Sequence, residues 1–176
     1  MPLSRFKPDH YPELLAAKAA AVSVLLEPFA APVPVIVPSS PTGFRMRAEF
    51  RIWHDGDQLD YVMFKQGEPG KPVPIHRFPI ACERIQALMP LLQQQLQGIP
   101  VLRHKLFQAE FLSTLAGDTL VTLVYHRKLD EQWREAAEAL ASSLGIALVG
   151  RSRKQKEIVG RDYVTEILPI ETRDHH

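Results

Sequence analysis

The sequence predicts an α+β fold: an antiparallel sheet built from β-hairpins, with helices packed on one side. Three observations carry that expectation. "HDGD" (His54 to Asp57) and "AGD" (Ala116 to Asp118) each separate two runs that read as strands, as hairpin turns do. Between and after those hairpins the apolar spacing turns helical. The chain then ends on short strand patterns.

The elements follow in order. Asp9 to about Leu26 reads as a helix, with Asp9 as its cap and Leu14, Leu15, Val22, Leu25 and Leu26 as an apolar stripe. Pro28 to Pro41 is proline-rich and reads as an extended connector. "FRMRAEFRIW" (Phe44 to Trp53) alternates with period two. Phe44, Met46, Ala48, Phe50 and Ile52 share one face; Arg45, Arg47, Glu49, Arg51 and Trp53 share the other. The return strand runs from about Leu59 to Lys65, "QGEPGKP" is a loop, and Val73 to Arg77 is a short extended piece. Ile80, Ile85, Leu88, Leu92 and Leu96 mark a helix that Pro90 should kink or split. Lys105 to Leu115 and Thr119 to Tyr125 form the second hairpin. Asp130 caps a helix from Glu131 to Leu144, which Gly145 stops. "IALVGR" is a strand, a basic turn follows, and "IVGRDYVTEIL" holds one or two more.

These elements divide into residues 1–41, a helix and connector, and residues 42–170, a single α+β domain. Residues 171–176 form a tail whose His175 and His176 are native or the remnant of a tag.

Composition narrows the function. The 176 residues are 45% hydrophobic and 23% charged, a globular balance with enough chain for a real core. The formal net charge of +1 gives no whole-molecule attraction to nucleic acid, so only local clusters of charge could bind it. The one cysteine, Cys82, excludes an internal disulfide and suits a reducing, cytoplasmic setting. Lys18, Glu27 and a run of prolines interrupt the apolar N-terminal stretch, which therefore reads as neither a membrane span nor a signal peptide.

Common catalytic signatures are missing: no dinucleotide or phosphate-binding glycine loop, no nucleophile elbow, no histidine pair with metal spacing outside the terminal two. Cys82 sits on the apolar stripe of the Ile80–Leu96 helix and reads as a small core residue, with Glu83 and Arg84 as surface charges. Asp55, Asp57 and Asp60 lack the spacing of a calcium loop and read as a polar turn.

Four basic clusters remain: Arg45, Arg47 and Arg51; "RHK" (Arg103 to Lys105); "HRK" (His126 to Lys128); and "RSRKQK" (Arg151 to Lys156). Pairing the second hairpin brings Arg103 and Lys105 near His126 and Lys128, beside Phe107. Cations for phosphate and an aromatic for stacking are the ingredients of an RNA site. Glu49 can orient Arg47 or Arg51, or accept from a base. Phe107 shares a strand face with Ala109 and Phe111, which favours the core on periodicity alone. A solvated turn is the usual reading of any one basic cluster taken alone.

"YPELLAAKAAAVSVLLEPF", "FRMRAEFRIWHDGD", "VLRHKLFQAEFLSTL", "LVYHRKLDEQWREAAEAL" and "LVGRSRKQK…RDYVTEILPI" occur in that order. Together they resemble the N-terminal half of the tRNA (uracil-5-)-methyltransferase family, to about Ile170. The resemblance implies recognition of the tRNA T-arm, whose target uridine is flipped out for methylation at C5. It implies S-adenosylmethionine as the cofactor of the full-length family member, with chemistry in a C-terminal Rossmann-like domain. That domain's "ELYCGNGNF"-type loop and "SCNP"-type cysteine motif do not occur in these residues, and Cys82 does not match the latter. The chain alone is thus expected to bind RNA without catalysing, with no cofactor of its own. The resemblance points to Arg45, Arg47, Glu49 and Arg51 as RNA-facing, Phe107 as an aromatic entering the T-loop, and His126 as its neighbour. Arg103, Lys105 and Lys128 fit as phosphate contacts by position; Arg151, Arg153 and Lys154 fit less closely. A free-standing RNA-binding module and a protein-interaction domain are the alternative readings.

Overall fold

The computed structural model describes residues 6–65 and 67–168. The tail at 171–176 and the C-terminal boundary at 170 lie outside them.

The centre is a seven-stranded sheet. Its strands are β1 (Arg47–Asp55), β2 (Gln58–Lys65), β3 (Glu68–Pro74), β4 (Leu106–Ser113), β5 (Thr119–Tyr125), β6 (Ala147–Ser152) and β7 (Gln155–Val159). They lie in the order β3-β2-β1-β4-β5-β6-β7. Both expected hairpins form, and β1 pairs with β4 to join them. β5 and β6 run parallel, so the sheet is mixed. A parallel pair needs a crossover, and α4 (Glu131–Leu144) supplies it. The "basic turn" is the tight reversal between β6 and β7, where Lys154 takes φ 61°. "QGEPGKP" contributes to β3, an edge strand that tolerates Pro72 and Pro74 because, among the described residues, no strand pairs with its outer side.

Helices α2 (Glu83–Gly98), the single turn α3 (Pro100–Arg103) and α4 bury one face of the sheet. α2 runs through Pro90 without a break. Pro90 lies on the exposed side, where the Gln86 carbonyl that it leaves unbonded, one turn earlier, can face water. Ile85, Leu88, Met89, Leu92 and Leu96 line the inner side. Cys82 is a free, buried thiol at the start of this helix. Arg84 is more than a surface charge: it donates to Thr119 Oγ1 (3.2 Å) and to the carbonyls of Leu144 and Gly145 (both 3.3 Å), tying α2 to the end of α4. α4 is capped as its sequence indicates. Asp130 accepts the Trp133 N–H at 2.9 Å, and Gly145 closes it at φ 60°.

The core centres on Phe50, Tyr61, Phe78 and Phe111, whose rings meet tilted or edge-on. Burial pushes the Tyr61 and Tyr125 phenols far up; each donates to a backbone carbonyl, Met89 (3.0 Å) and Leu102 (2.8 Å) respectively. Trp133 lies against β6 where Gly150 leaves room. A Cβ at Gly150 would sit 2.3 Å from the Trp133 ring. Phe44, placed by alternation on the inner face, is 43% exposed, because β1 begins only at Arg47. Before it, Arg45 bridges to Ala81.

A second, smaller cluster covers the far end of the opposite face: Leu120, Ala147 and Val149, with Leu112 and Val164 against them. Val164 belongs to residues 160–168, which form a strap rather than a last strand. Asp118 pairs with Arg161 and accepts the Thr165 N–H (2.8 Å), and Glu166 accepts the N–H groups of Leu115 (2.7 Å) and Ala116 (3.2 Å).

The N-terminal helix α1 spans Tyr11–Leu26, preceded by a 3-10 turn at Pro8–His10. Asp9 lies inside that turn and is not its cap; His10 occupies the N-cap position and makes no side-chain capping bond. The expected apolar stripe buries nothing.

Two outcomes follow. Gly150→Ala should lower stability by about 1–3 kcal/mol, since Trp133 is held from all sides; chemical denaturation measures it. The strap should loosen in acid. Its Glu166 carboxyl is held below the usual range, first by the Leu115 N–H. A depressed carboxyl stabilises the fold above its unfolded value, about 4.3, and loses that contribution as pH falls through the folded value. Exchange of the Leu115 and Ala116 amides should therefore quicken below about pH 4 beyond its intrinsic pH dependence, and Glu166→Gln should show little of that extra step.

Candidate nucleic-acid interface

Helices cover one face of the sheet, so β1 must send Ala48, Phe50 and Ile52 inward and Arg47, Glu49, Arg51 and Trp53 outward. The same alternation runs through β4 until its first residues. There a bulge between Leu106 and Gln108 inserts an extra residue opposite β5. Leu106 points into the core, and Phe107 is carried out of it, although Ala109 and Phe111 stay buried. Simple alternation puts Phe107 in the core; the bulge moves it to the open face. His54 secures this distortion. Its Nε2 lies 2.7 Å from the Leu106 carbonyl, which can only accept, so the hydrogen sits on Nε2.

Phe107 stands between two partners. The His126 ring stacks on it at 4.0 Å between centroids and 28° between planes. The guanidinium carbon of Arg51 lies 3.8 Å from the Phe107 centroid. Two flat groups this close to one centroid must occupy opposite faces of the ring. Their strands agree, with Arg51 on one side of β4 and His126 just beyond β5 on the other. Arg51, Phe107 and His126 therefore form one three-layer stack. Arg51 has no carboxylate within ion-pair reach among the described residues, so Phe107 alone orients it.

Arg47 is held differently. Its guanidinium meets Glu49 at 3.2 Å and Glu110 at 3.6 Å, and Glu110 also accepts from Gln108 (2.9 Å). Arg45 is exposed where the chain enters β1. β1 and β2 pair only from Arg51↔Val62 to Asp55↔Gln58. Beyond that the two separate, leaving a cleft lined by Arg45, Arg47, Glu49, Met63 and Phe78.

The remaining clusters divide. Register puts Arg51, Gln108, Val124, Arg151 and Lys156 in one cross-strand row. Neighbouring strands are about 4.8 Å apart, so Arg51 and Arg151 lie on the order of 14 Å apart across the open face. Lys156 pairs with Asp162 at 2.5 Å, and that partner holds the Asp162 carboxyl low. Arg153 and Lys154 sit in the β6–β7 turn, off that row. Lys105 and Lys128 are exposed beside the stack; Lys105 takes φ 55° and its carbonyl accepts the His126 N–H (3.0 Å). Arg103 turns inward. It donates to the Asp57 and Gln97 carbonyls (2.7 and 3.0 Å) and meets the Asp57 carboxylate at 2.5 Å. Arg127 is similarly engaged with the Val101 carbonyl at 2.6 Å.

Sequence reasoning missed His54, Gln108 and Glu110. Gln108 and Glu110 share the open face with Arg51 and Glu49, their partners in the β1–β4 register. That pairing was the signal available for them.

Comparison with known proteins identifies the family. The family model for tRNA (Uracil-5-)-methyltransferase matches residues 10–176. The chain belongs to this family. A tRNA/tmRNA (uracil-C(5))-methyltransferase of Azotobacter vinelandii is 51% identical over 173 residues, 98% of this chain and 48% of the relative. Relatives of the same description from Aromatoleum aromaticum and Azoarcus sp. are each 46% identical, over 98% and 100% of this chain and 47% and 48% of their own lengths. The chain thus spans about half the length of the curated relatives it matches. The fold is shared with the Pyrococcus abyssi tRNA (uracil-54, C5)-methyltransferase solved with S-adenosyl-L-homocysteine. The TM-score is 0.55 at 14% identity, covering 88% of this chain and 38% of that one.

Phe107 belongs to the stack and Phe111 to the core, so their truncation should differ sharply. Phe111→Ala should cost about 3–5 kcal/mol. Phe107→Ala should stay below about 1 kcal/mol, as read from urea midpoints of the two variants.

Proposed function

We propose that this chain is the tRNA-gripping part of a tRNA (uracil-5-)-methyltransferase, with the T-arm lying on the open face of the sheet. The single observation that carries this reading is the Arg51–Phe107–His126 stack standing out of that face beside a basic row. Bases stack on aromatic and guanidinium planes. With both faces of Phe107 covered, a base reaches the stack over the His126 imidazole or the Arg51 guanidinium. Direct entry of Phe107 into the T-loop requires one of them to move aside. Arg45, Lys105, Lys128 and Arg151 surround the stack as phosphate partners, and Arg47, held in place by Glu49, faces the same RNA. Arg103, anchored by Asp57, contributes by fixing the β1–β2 turn near the site.

S-adenosylmethionine and the catalytic cysteine belong, in this reading, to the half of the family protein that this chain does not match. Cys82, buried behind the sheet, is not in reach of a base. The setting is the cytoplasm, where tRNA is modified. Among the described residues no helix is long and apolar enough to cross a membrane.

Titration of the chain with a T-arm hairpin at two salt concentrations tests the reading. Four phosphate contacts would weaken binding on the order of 100-fold between about 50 and 200 mM salt. Phe107→Ala should lower affinity at both salts by about 1–3 kcal/mol while keeping the slope. No binding at low salt, or methyl transfer from labelled S-adenosylmethionine by the chain alone, would overturn it.

A further inference from the structure

The N-terminal segment is an arm closed at its base. Phe6 packs against the main core. Helix α1 then runs outward, a turn at Ala30 with φ 48° reverses the chain, and the proline-rich connector returns to Gly43, whose N–H donates to the Pro79 carbonyl (2.9 Å). The Tyr11 and Ser39 hydroxyls meet at 3.2 Å, joining the outgoing and returning limbs. Sixteen helical residues rise about 24 Å.

Among the described residues, no side chain of the arm's helix is buried. Leu25 is 70% exposed, Phe29 76% and Val35 91%. The leucines, valines and alanines surround the helix rather than forming one stripe. A helix apolar on all sides is ordinarily buried, and an isolated helix of this length is marginal in water. Between Tyr11 and Phe29 the only charges are Glu13, Lys18 and Glu27. That excess of acid disfavours RNA phosphate and anionic lipid as partners.

We infer that the arm is a clasp, whose apolar surface docks on the half of the full-length family protein that this chain does not match. The relatives align through 98–100% of this chain, α1 included, and each has about as much chain again. A second body of similar size therefore accompanies the arm in those proteins. Tethering also makes that body the favoured occupant, because linked segments see each other at about millimolar effective concentration. The inference rests on the family match and is independent of the RNA reading.

Hydrogen exchange of the α1 amides tests it in three proteins. These are this chain, a fusion continuing it with the unmatched half of the Azotobacter vinelandii relative, and that relative in full. The α1 amides should exchange rapidly in this chain at every protein concentration. They should be protected on the order of 100-fold more in the other two, as tertiary burial of a marginal helix requires. Val24→Asp with Leu25→Asp in the fusion should abolish that gain and leave the β4–β5 amides unchanged. If the fusion does not fold, the natural relative decides alone. Equal, rapid exchange in all three overturns the clasp. So does protection in this chain that grows with concentration as a dimer forms in sedimentation, or that appears only with lipid vesicles.

Discussion

A sheet covered by helices on one side only imposes a rule on the strands whose other side is left open: one set of alternate residues must be apolar, and the other set is available for solvent or a ligand. Much of what is distinctive about the open face follows from that rule and from one place on β4 where it is broken. α2, α3 and α4 all pack on the same face, so β1 presents two arginines and a glutamate in a row without any buried charge to compensate. A helix on the other face would have made that row untenable.

The break is the bulge at Phe107. It costs a ladder position and turns an aromatic ring out of the core, and the protein supports it with a dedicated partner in His54. The consequence is a difference between two arginines that look alike in sequence. Arg47 sits among carboxylates, which neutralise and orient it. Arg51 rests on a hydrocarbon face, which orients it and leaves its charge undiminished. An arginine ready to meet an anion is of the second kind, because no existing ion pair must be broken first.

Much of this was legible in the sequence where local chemistry decides. The α4 helix reads from Asp130 to Gly145 because both caps are residue-specific. The two hairpins read from their glycine turns, and their register brought Phe107 and His126 together. Features set by tertiary context were not legible. The bulge changes a parity that periodicity assumes constant. The parallel β5–β6 pair depends on where the crossover helix lands, not on any motif. β3 was hidden by prolines that only an edge strand accepts, and Pro90 was absorbed by an exposed helix face. The charge clusters were visible, but not their partners: Arg103 and Arg127 serve the fold, whereas Arg151 stands in line with Arg51.

The strap over the hairpin tip also sets a boundary. It anchors on Leu115, Ala116 and Asp118, at the opposite end of β4 from Phe107. From Phe107 to Ser113, six residues of strand at about 3.4 Å each make roughly 20 Å. Glu166 therefore sits at one margin of the open face while the stack marks the other. The sheet acts as a ruler between them: the strap's anchor on Leu115 and Ala116 and the stack at Phe107 are held at opposite ends of β4.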